Sequence, residues 1–155
     1  VTSSRNVEAV KALGLYDDVV LYEDIETGVA QKASVIVDMS GSGEVLGRLH
    51  KLLGDNMRFT SNVGVTHYSE AGMGPDFIKD RSAMFFAPGH IQKRSKDWGP
   101  GEFDRKAAEF WHDATVKSRD WLKLNRQSGI DAIGEAYMDV LAGKTAADSA
   151  WVVGF

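Results

Sequence analysis

Residues 33–68 have the sequence ASVIVDMSGSGEVLGRLHKLLGDNMRFTSNVGVTHY and predict a buried strand, a glycine loop, a helix and a second buried strand. The first strand, residues 33–39, is apolar on both faces, as is typical of a parallel sheet covered by helices. Leucines spaced by three or four follow, and we expect their helix to end at Gly54. Such a strand, helix and strand form the unit from which nucleotide-binding α/β sheets are built.

Helices and strands are predicted to alternate along the rest of the chain. We therefore expect an α/β fold with a Rossmann-like parallel sheet flanked by helices, a C-terminal helical pair and a final strand, in one domain of 155 residues. Further strands are predicted at residues 18–22 (DVVLY), 83–87 and in the closing SAWVVGF, and further helices at residues 5–13 with Ser4 as N-cap, 103–122, and from the cap Ser128 to Gly143.

The two C-terminal helices each carry an apolar stripe. In the longer one, Phe110 and Trp111 stand at helical spacing, which favours packing in a core over a platform for stacking nucleic-acid bases. In the second, Tyr137 and Val140 are expected to face the core in the same way.

Composition argues against several classes of function. The net charge is −4 and the 18 basic residues are scattered, so no nucleic-acid partner and no anionic membrane surface is expected. No apolar run approaches the roughly 18 residues of a membrane span. Without cysteine, and without the spacing of zinc ligands, no metal site is predicted, and a cytoplasmic setting fits.

The glycine loop after the first strand has the pattern GxGxxxG at Gly41, Gly43 and Gly47. Such glycines let a backbone approach a pyrophosphate at a helix N-terminus. The pattern lacks the third-glycine spacing of the dinucleotide fingerprint, and no acidic residue ends the next strand. Three interpretations stay open: a primary pyrophosphate loop, a secondary cofactor contact, and a turn that only joins strand to helix.

The amino-terminal residues VTSSRN carry a second signal. After the second strand of a dinucleotide fold, an acidic residue selects an unphosphorylated ribose, whereas arginine with small hydroxyl side chains accommodates a 2′-phosphate. Here Ser3, Ser4 and Arg5 stand without an acidic neighbour, which favours NADP over NAD or adenosylmethionine. The alternative is that Ser4 only caps a helix and that Arg5 is solvated.

The histidines differ in where they fall. His67 lies just past the carboxyl end of a predicted strand, the edge where ligands collect in α/β sheets, so it is a candidate proton donor or hydrogen-bond donor. The alternative is a structural loop histidine. His50 and His112 lie within predicted helices, and His50 is expected on the helix surface.

Several motifs resemble the second half of the nucleotide-binding domain of medium-chain dehydrogenases/reductases, in the quinone oxidoreductase branch. In that family a helix closes on Leu-Gly, as at Leu13 and Gly14, and a later strand ends in D-x-x-G, as at residues 38–41. The chain is most similar to an uncharacterised bacterial family of medium-chain-reductase-like proteins. The motifs TSSRN, VIVDMSG and VGVTH carry both resemblances. VLYED and LAGKTAADSAWVVGF are similar to the reductases, whereas SNVGVTH, FFAP and IQKRSKDWG are similar to the uncharacterised family.

The resemblance implies a zinc-independent oxidoreductase that uses NADP(H) for hydride transfer to a carbonyl or activated alkene of a small-molecule substrate. It also implies that the first strand and its glycine-rich loop precede Val1, and that residues 144–155 return toward a catalytic domain outside this chain. The implied site residues are Ser3, Ser4, Arg5 and Asn6 at the adenosine ribose and its phosphate, Ser40 and Gly41 near the dinucleotide, Val63, Gly64, Val65 and Thr66 by the nicotinamide, and His67 near the substrate.

A second hypothesis is a non-catalytic α/β module for oligomerisation or small-ligand binding. Reductases of this type commonly pair through edge strands, and residues 83–87 are the candidate edge for a homodimer.

Overall fold

The computed structural model describes residues 1–64 and 74–155. These residues form two units, which we call unit 1 (Val1–Ser3 and Val20–Phe103) and unit 2 (Ser4–Val19 and Asp104–Phe155). Each unit holds one small sheet of parallel strands, and helices accompany both sheets. The predicted α/β class with parallel strands, flanking helices and a final strand is confirmed.

The sheet of unit 1 has three strands in sequence order, β1 (Ser34–Asp38), β2 (Met57–Asn62) and β3 (Ser82–Met84). Between β1 and β2 runs α3 (Gly43–Leu53), which ends at Gly54, where φ is +50°, and a 3₁₀ turn follows. The predicted strand, loop, helix and strand of residues 33–64 are therefore confirmed. The short helix α2 (Ile25–Gly28) precedes them.

The core of unit 1 lies on one face of this sheet. Leu46, Leu49 and Leu53 of α3 are buried together with Met57 of β2. On the opposite face, Val35 is 62% exposed. The prediction that β1 is covered on both faces is wrong because α3 covers only one of them.

Residues 18–22 do not form the predicted strand. Thr2 and Leu21 make a single parallel bridge instead, in which the Thr2 N–H donates to Val20 O at 2.9 Å and the Tyr22 N–H donates to Thr2 O at 3.0 Å. The apolar sequence there is long enough for a strand, but pairing with the amino-terminal residues extends over one position only.

The predicted strand at residues 83–87 is shorter than expected because a helix, α4 (Ala87–Trp98), begins at its end. Pro88 lies in the first turn of α4, where its missing N–H costs no helical hydrogen bond. The sequence does not predict α4, because a proline followed by a glycine is more typical of a turn than of a helix. An ion pair between Lys93 and Asp97, 2.7 Å apart and one helical turn from each other, stabilises α4.

Unit 2 contains α1 (Val7–Ala12), α5 (Glu102–Ser118, which begins at the end of unit 1), β4 (Lys123–Ser128), α6 (Ile130–Leu141) and β5 (Ser149–Gly154). β4 pairs with β5 in parallel along its whole length. It was not predicted because KLNRQS lacks apolar alternation, and all six of its residues are exposed. The helical pair therefore has a strand between its members, and the final strand is confirmed.

Two predicted helix caps are wrong. Asn6, not Ser4, precedes α1, and it makes no side-chain hydrogen bond to the helix. Ser128 is the last residue of β4, and α6 begins after Gly129, whose φ is +97°. At that φ the chain turns from strand to helix in one residue, a conformation that glycine adopts without strain.

The apolar stripes of α5 and α6 are not core. Phe110 and Trp111 are each 73% exposed, and Tyr137 and Val140 are exposed as well. In α6 the buried residues are Ala132 and Ala136, and the helix contacts both β4 and β5. Within unit 2 the helix therefore packs through its small side chains, and the predicted core positions point outward.

In the described part of the chain, no helix combines the length and the apolar character that a membrane span requires.

Candidate functional site

The carboxyl ends of the three parallel strands of unit 1 lie side by side. Asp38 at the end of β1 pairs in register with Asn62 at the end of β2, and Asn62 pairs with Met84 at the end of β3. In open α/β sheets, ligands bind just beyond this edge, where loops and helix N-termini meet. We define these strand ends and the residues directly after them as the carboxyl edge.

The turn after β1 is built around the buried carboxylate of Asp38. Its Oδ1 accepts hydrogen bonds from the backbone N–H and the hydroxyl of Ser40, both at 3.0 Å. The N–H of Gly41, a residue with φ of +72°, lies 3.1 Å from both carboxylate oxygens. The first two amides of the glycine loop therefore already bind an anion, which is the chain's own carboxylate.

The N-terminus of α3 is satisfied in a similar way. Ser42 caps the helix, because its Oγ accepts from the Val45 N–H at 3.4 Å, and its own N–H donates to Ser40 Oγ at 3.3 Å. The chain also passes over the first turn of α3, since a Cβ on Gly74 would lie 3.2 Å from Gly43 O.

A pyrophosphate cradle needs backbone amides that face the ligand. At this loop the amides of Ser40, Gly41 and Ser42 face side-chain oxygens of the protein. Of the three interpretations of the GxGxxxG pattern, the geometry therefore favours the connecting turn or a secondary contact over a primary pyrophosphate loop.

The residues after β2 come close to this turn. The N–H groups of Val63 and Gly64 both donate to Asp38 O, at 2.8 and 3.2 Å. Gly64 lies so close to the chain that a Cβ built on it would be 2.6 Å from Met39 O. The structure thus brings four predicted site residues, Ser40, Gly41, Val63 and Gly64, to one place. The predicted site residues Val65, Thr66 and His67 lie outside the described residues.

Asn62 is a site residue that sequence reasoning missed. Its Oδ1 is buried and has no hydrogen-bond partner among residues 1–64 and 74–155. A buried polar atom without a partner costs about 1–3 kcal/mol, and in a native protein it often indicates a site for a bound group. The signal in the sequence was a polar residue at the last position of a buried strand.

The amino-terminal site residues fall in both units. Ser3 belongs to unit 1, whereas Ser4, Arg5 and Asn6 belong to unit 2. The Arg5 side chain is exposed, and its Nη1 donates to Gly143 O at 2.8 Å, just after the end of α6. Arg5 therefore binds a backbone carbonyl, which differs from the freely solvated side chain of the alternative interpretation.

His50 lies in the interior of unit 1, so its expected surface position is wrong. It is 1% exposed, and its Nε2 lies 2.8 Å from Thr60 Oγ1 of β2. Burial lowers the pKa of His50, and the charge of Arg81 lowers it further. The sequence did carry a signal: His50 follows Leu46 by four residues and precedes Leu53 by three, so it belongs to the buried stripe of α3.

No cluster of three or more histidine, aspartate or glutamate side chains with metal-binding geometry occurs within residues 1–64 and 74–155. The charged pair at the surface of α3 is a simple ion pair, in which Arg48 binds both carboxylate oxygens of Glu26 at 2.7 and 2.6 Å. This bidentate contact lowers the pKa of Glu26 to about 2.

Comparison with known proteins identifies the family. Among curated proteins, no match to this chain was found. The family model described as "Protein of unknown function (DUF2855)" matches residues 1–146, nearly the whole chain. The chain therefore belongs to the DUF2855 family of proteins of unknown function.

Proposed function

We propose that this chain forms part of the nucleotide-binding domain of a cytoplasmic, zinc-independent, NADP(H)-dependent oxidoreductase. In this proposal unit 1 holds and orients the dinucleotide at its carboxyl edge. The dinucleotide would supply the hydride, which passes to a carbonyl or activated alkene of a small molecule.

The observation that carries the proposal is the orphaned acceptor of Asn62 at this edge. Its buried Oδ1 fits a donor group of the ligand, such as a carboxamide N–H or a ribose hydroxyl. The chain directly after β2 is held at the same edge, because the N–H groups of Val63 and Gly64 both donate to Asp38 O. The in-register strand ends supply the rigid base that an oriented ligand requires.

A titration of the complete protein with NADPH and with NADH tests the proposal. We expect NADPH to bind more tightly than NADH, and Arg5→Ala to reduce that difference because the 2′-phosphate loses a cationic partner. Arg5→Lys is the matched variant that keeps the charge. If neither dinucleotide binds, or if NADH is preferred with and without Arg5, the proposal is wrong.

Asn62→Leu tests the edge itself. Because Asn62 Oδ1 has no partner in the described part of the chain, its removal should leave the free energy of unfolding unchanged or slightly raised, while NADPH binding weakens by roughly tenfold. The matched control is Asn125→Leu, the same replacement on the exposed strand β4. Equal NADPH affinity in the two variants would remove Asn62 from the site.

A second candidate function is assembly through β3. Among the described strands it lies at one edge of its sheet, and Met84 at its end is 66% exposed. Unpaired strand edges are templates for pairing with another chain. Light scattering of the complete protein should then give the mass of a dimer, which Met84→Lys converts to a monomer while Met138→Lys on α6 does not. A monomeric wild-type protein would exclude this candidate.

A further inference from the structure

The ring of His50 connects three parts of unit 1. It belongs to α3, it contacts Thr60 of β2 through Nε2, and it accepts a hydrogen bond at Nδ1 from the backbone N–H of Ile78 at 2.8 Å. We propose that His50 is a proton-sensitive latch. In its neutral form the ring holds residues 74–78 against α3, and protonation of the ring releases them.

The hydrogen bonds determine which ring nitrogen carries the proton. An amide N–H can only donate, so Nδ1 must accept from Ile78 and the hydrogen of the neutral ring resides on Nε2. Nε2 therefore donates to Thr60 Oγ1, and the Thr60 hydroxyl donates in turn to Met57 Sδ at 3.5 Å. In this series of hydrogen bonds, every donor has an acceptor only while Nδ1 is unprotonated.

Residues 74–78 lie along α3 through several contacts. Gly74 lies against the backbone of Gly43 at the first turn of the helix. Further along, Phe77 stacks on the His50 ring, with the ring centres 4.7 Å apart and the planes 23° apart. Ile78 then binds His50 through its N–H, and its carbonyl accepts from the Ser82 hydroxyl at 2.7 Å. His50 is thus the polar attachment of this segment to the helix.

Protonation would place two donors face to face. Nδ1–H would point at the Ile78 N–H, and a cation would be buried in a site that is 1% exposed. Arg81 is the charged group that acts on the ring, and its own ion-pair partner Asp55 lies 3.8 Å from it. In the described residues no carboxylate bonds to the ring, neither Glu44 of α3 nor Asp76 and Asp80 of the chain that packs against it, so nothing there compensates the added charge.

The direction of the pH dependence follows from the lowered pKa. Where the latch is open, His50 takes up its proton near the ordinary histidine pKa of about 6.5. Where the latch is closed, it does so only at lower pH. The latch is therefore fully effective above about pH 6.5, and below that the equilibrium constant for opening rises by up to about tenfold per pH unit.

Native-state hydrogen exchange of the Ile78 amide in the complete protein, at pH 7.5 and pH 5, tests the latch. After correction for the intrinsic exchange rate, we expect protection to fall by up to about tenfold per pH unit below 6.5. His50→Asn supplies an oxygen in the place of Nδ1 that does not titrate, so its protection should be equal at both values of pH. His50→Gln retains the Nε2-like donor without that acceptor, so its protection should be low at both.

His112→Asn, on the exposed face of α5, is the matched control and should behave as the wild type. Unchanged protection of wild-type Ile78 between the two pH values would overturn the proposal, and so would the same loss in His50→Asn. If the variants fail to fold, the ¹⁵N spectrum of the His50 ring in the wild-type protein tests the proposal, because it shows which ring nitrogen carries the hydrogen. It must show hydrogen on Nε2 at pH 7.5, and the opposite tautomer would exclude the latch.

Discussion

Replacing Gly64 with alanine is expected to destabilise unit 1 because the new methyl group would collide with the backbone directly after β1. A Cβ at this position would lie 2.6 Å from Met39 O, well inside the 3.4 Å at which ordinary contact begins. The obstacle is a carbonyl, and the adjacent peptide is held by the bond from the Val63 N–H to Asp38 O at 2.8 Å. Since neither partner can rotate away, we expect a cost of about 1–3 kcal/mol.

Gly47→Ala is the matched control within the same unit. Gly47 is buried in α3, yet no atom of the described residues outside the helix's own backbone lies within 4 Å of the Cβ that alanine would add. Alanine in a helix interior is favoured over glycine by roughly 0.5–1 kcal/mol, so this variant should be more stable than the wild type. NADPH binding should survive it, because the geometry does not favour a primary pyrophosphate loop at this glycine.

Urea unfolding followed by circular dichroism measures both effects as shifts of the midpoint at constant m value. The Gly64→Ala midpoint should fall and the Gly47→Ala midpoint should rise. The reasoning is refuted if Gly64→Ala unfolds within about 0.5 kcal/mol of the wild type, the range of ordinary surface substitutions. It is equally refuted if Gly47→Ala is the more damaging of the two.

Two further predictions concern carboxylates. Asp38→Asn should lower the free energy of unfolding, measured by thermal unfolding, by about 1–3 kcal/mol, because the NH₂ group of the amide would face the Gly41 N–H, which is also a donor. Asp18→Asn, at an exposed position, should change the free energy of unfolding little. Arg48→Lys should raise the pKa of Glu26 from about 2 toward 4.5, as measured by carboxyl NMR titration, since lysine cannot make the bidentate contact. The stabilisation from this pair is present above about pH 4.5 and is lost as pH falls toward 2, and an unchanged pKa in the variant would contradict the assignment.

Part of the candidate site followed from the sequence because strand ends are local features. The end of β1 at Asp38 and the glycine turn after it were expected, and parallel strands necessarily bring their carboxyl ends to one edge. That Ser40 and Gly41 direct their amides to Asp38 was not predictable, since the same residues in the same order can instead turn those amides toward a ligand.

The sequence by itself determined the strand, loop, helix and strand of residues 33–64, because apolar spacing and a glycine at a helix end act over a few residues. Only the tertiary structure decided burial. His50 became interior because residues 77–78 cover it, while Phe110 and Trp111 remained exposed although their spacing is that of a core helix. The physical reason is that an apolar stripe indicates which side of a helix can be buried. Whether that side is buried depends on which element packs against it.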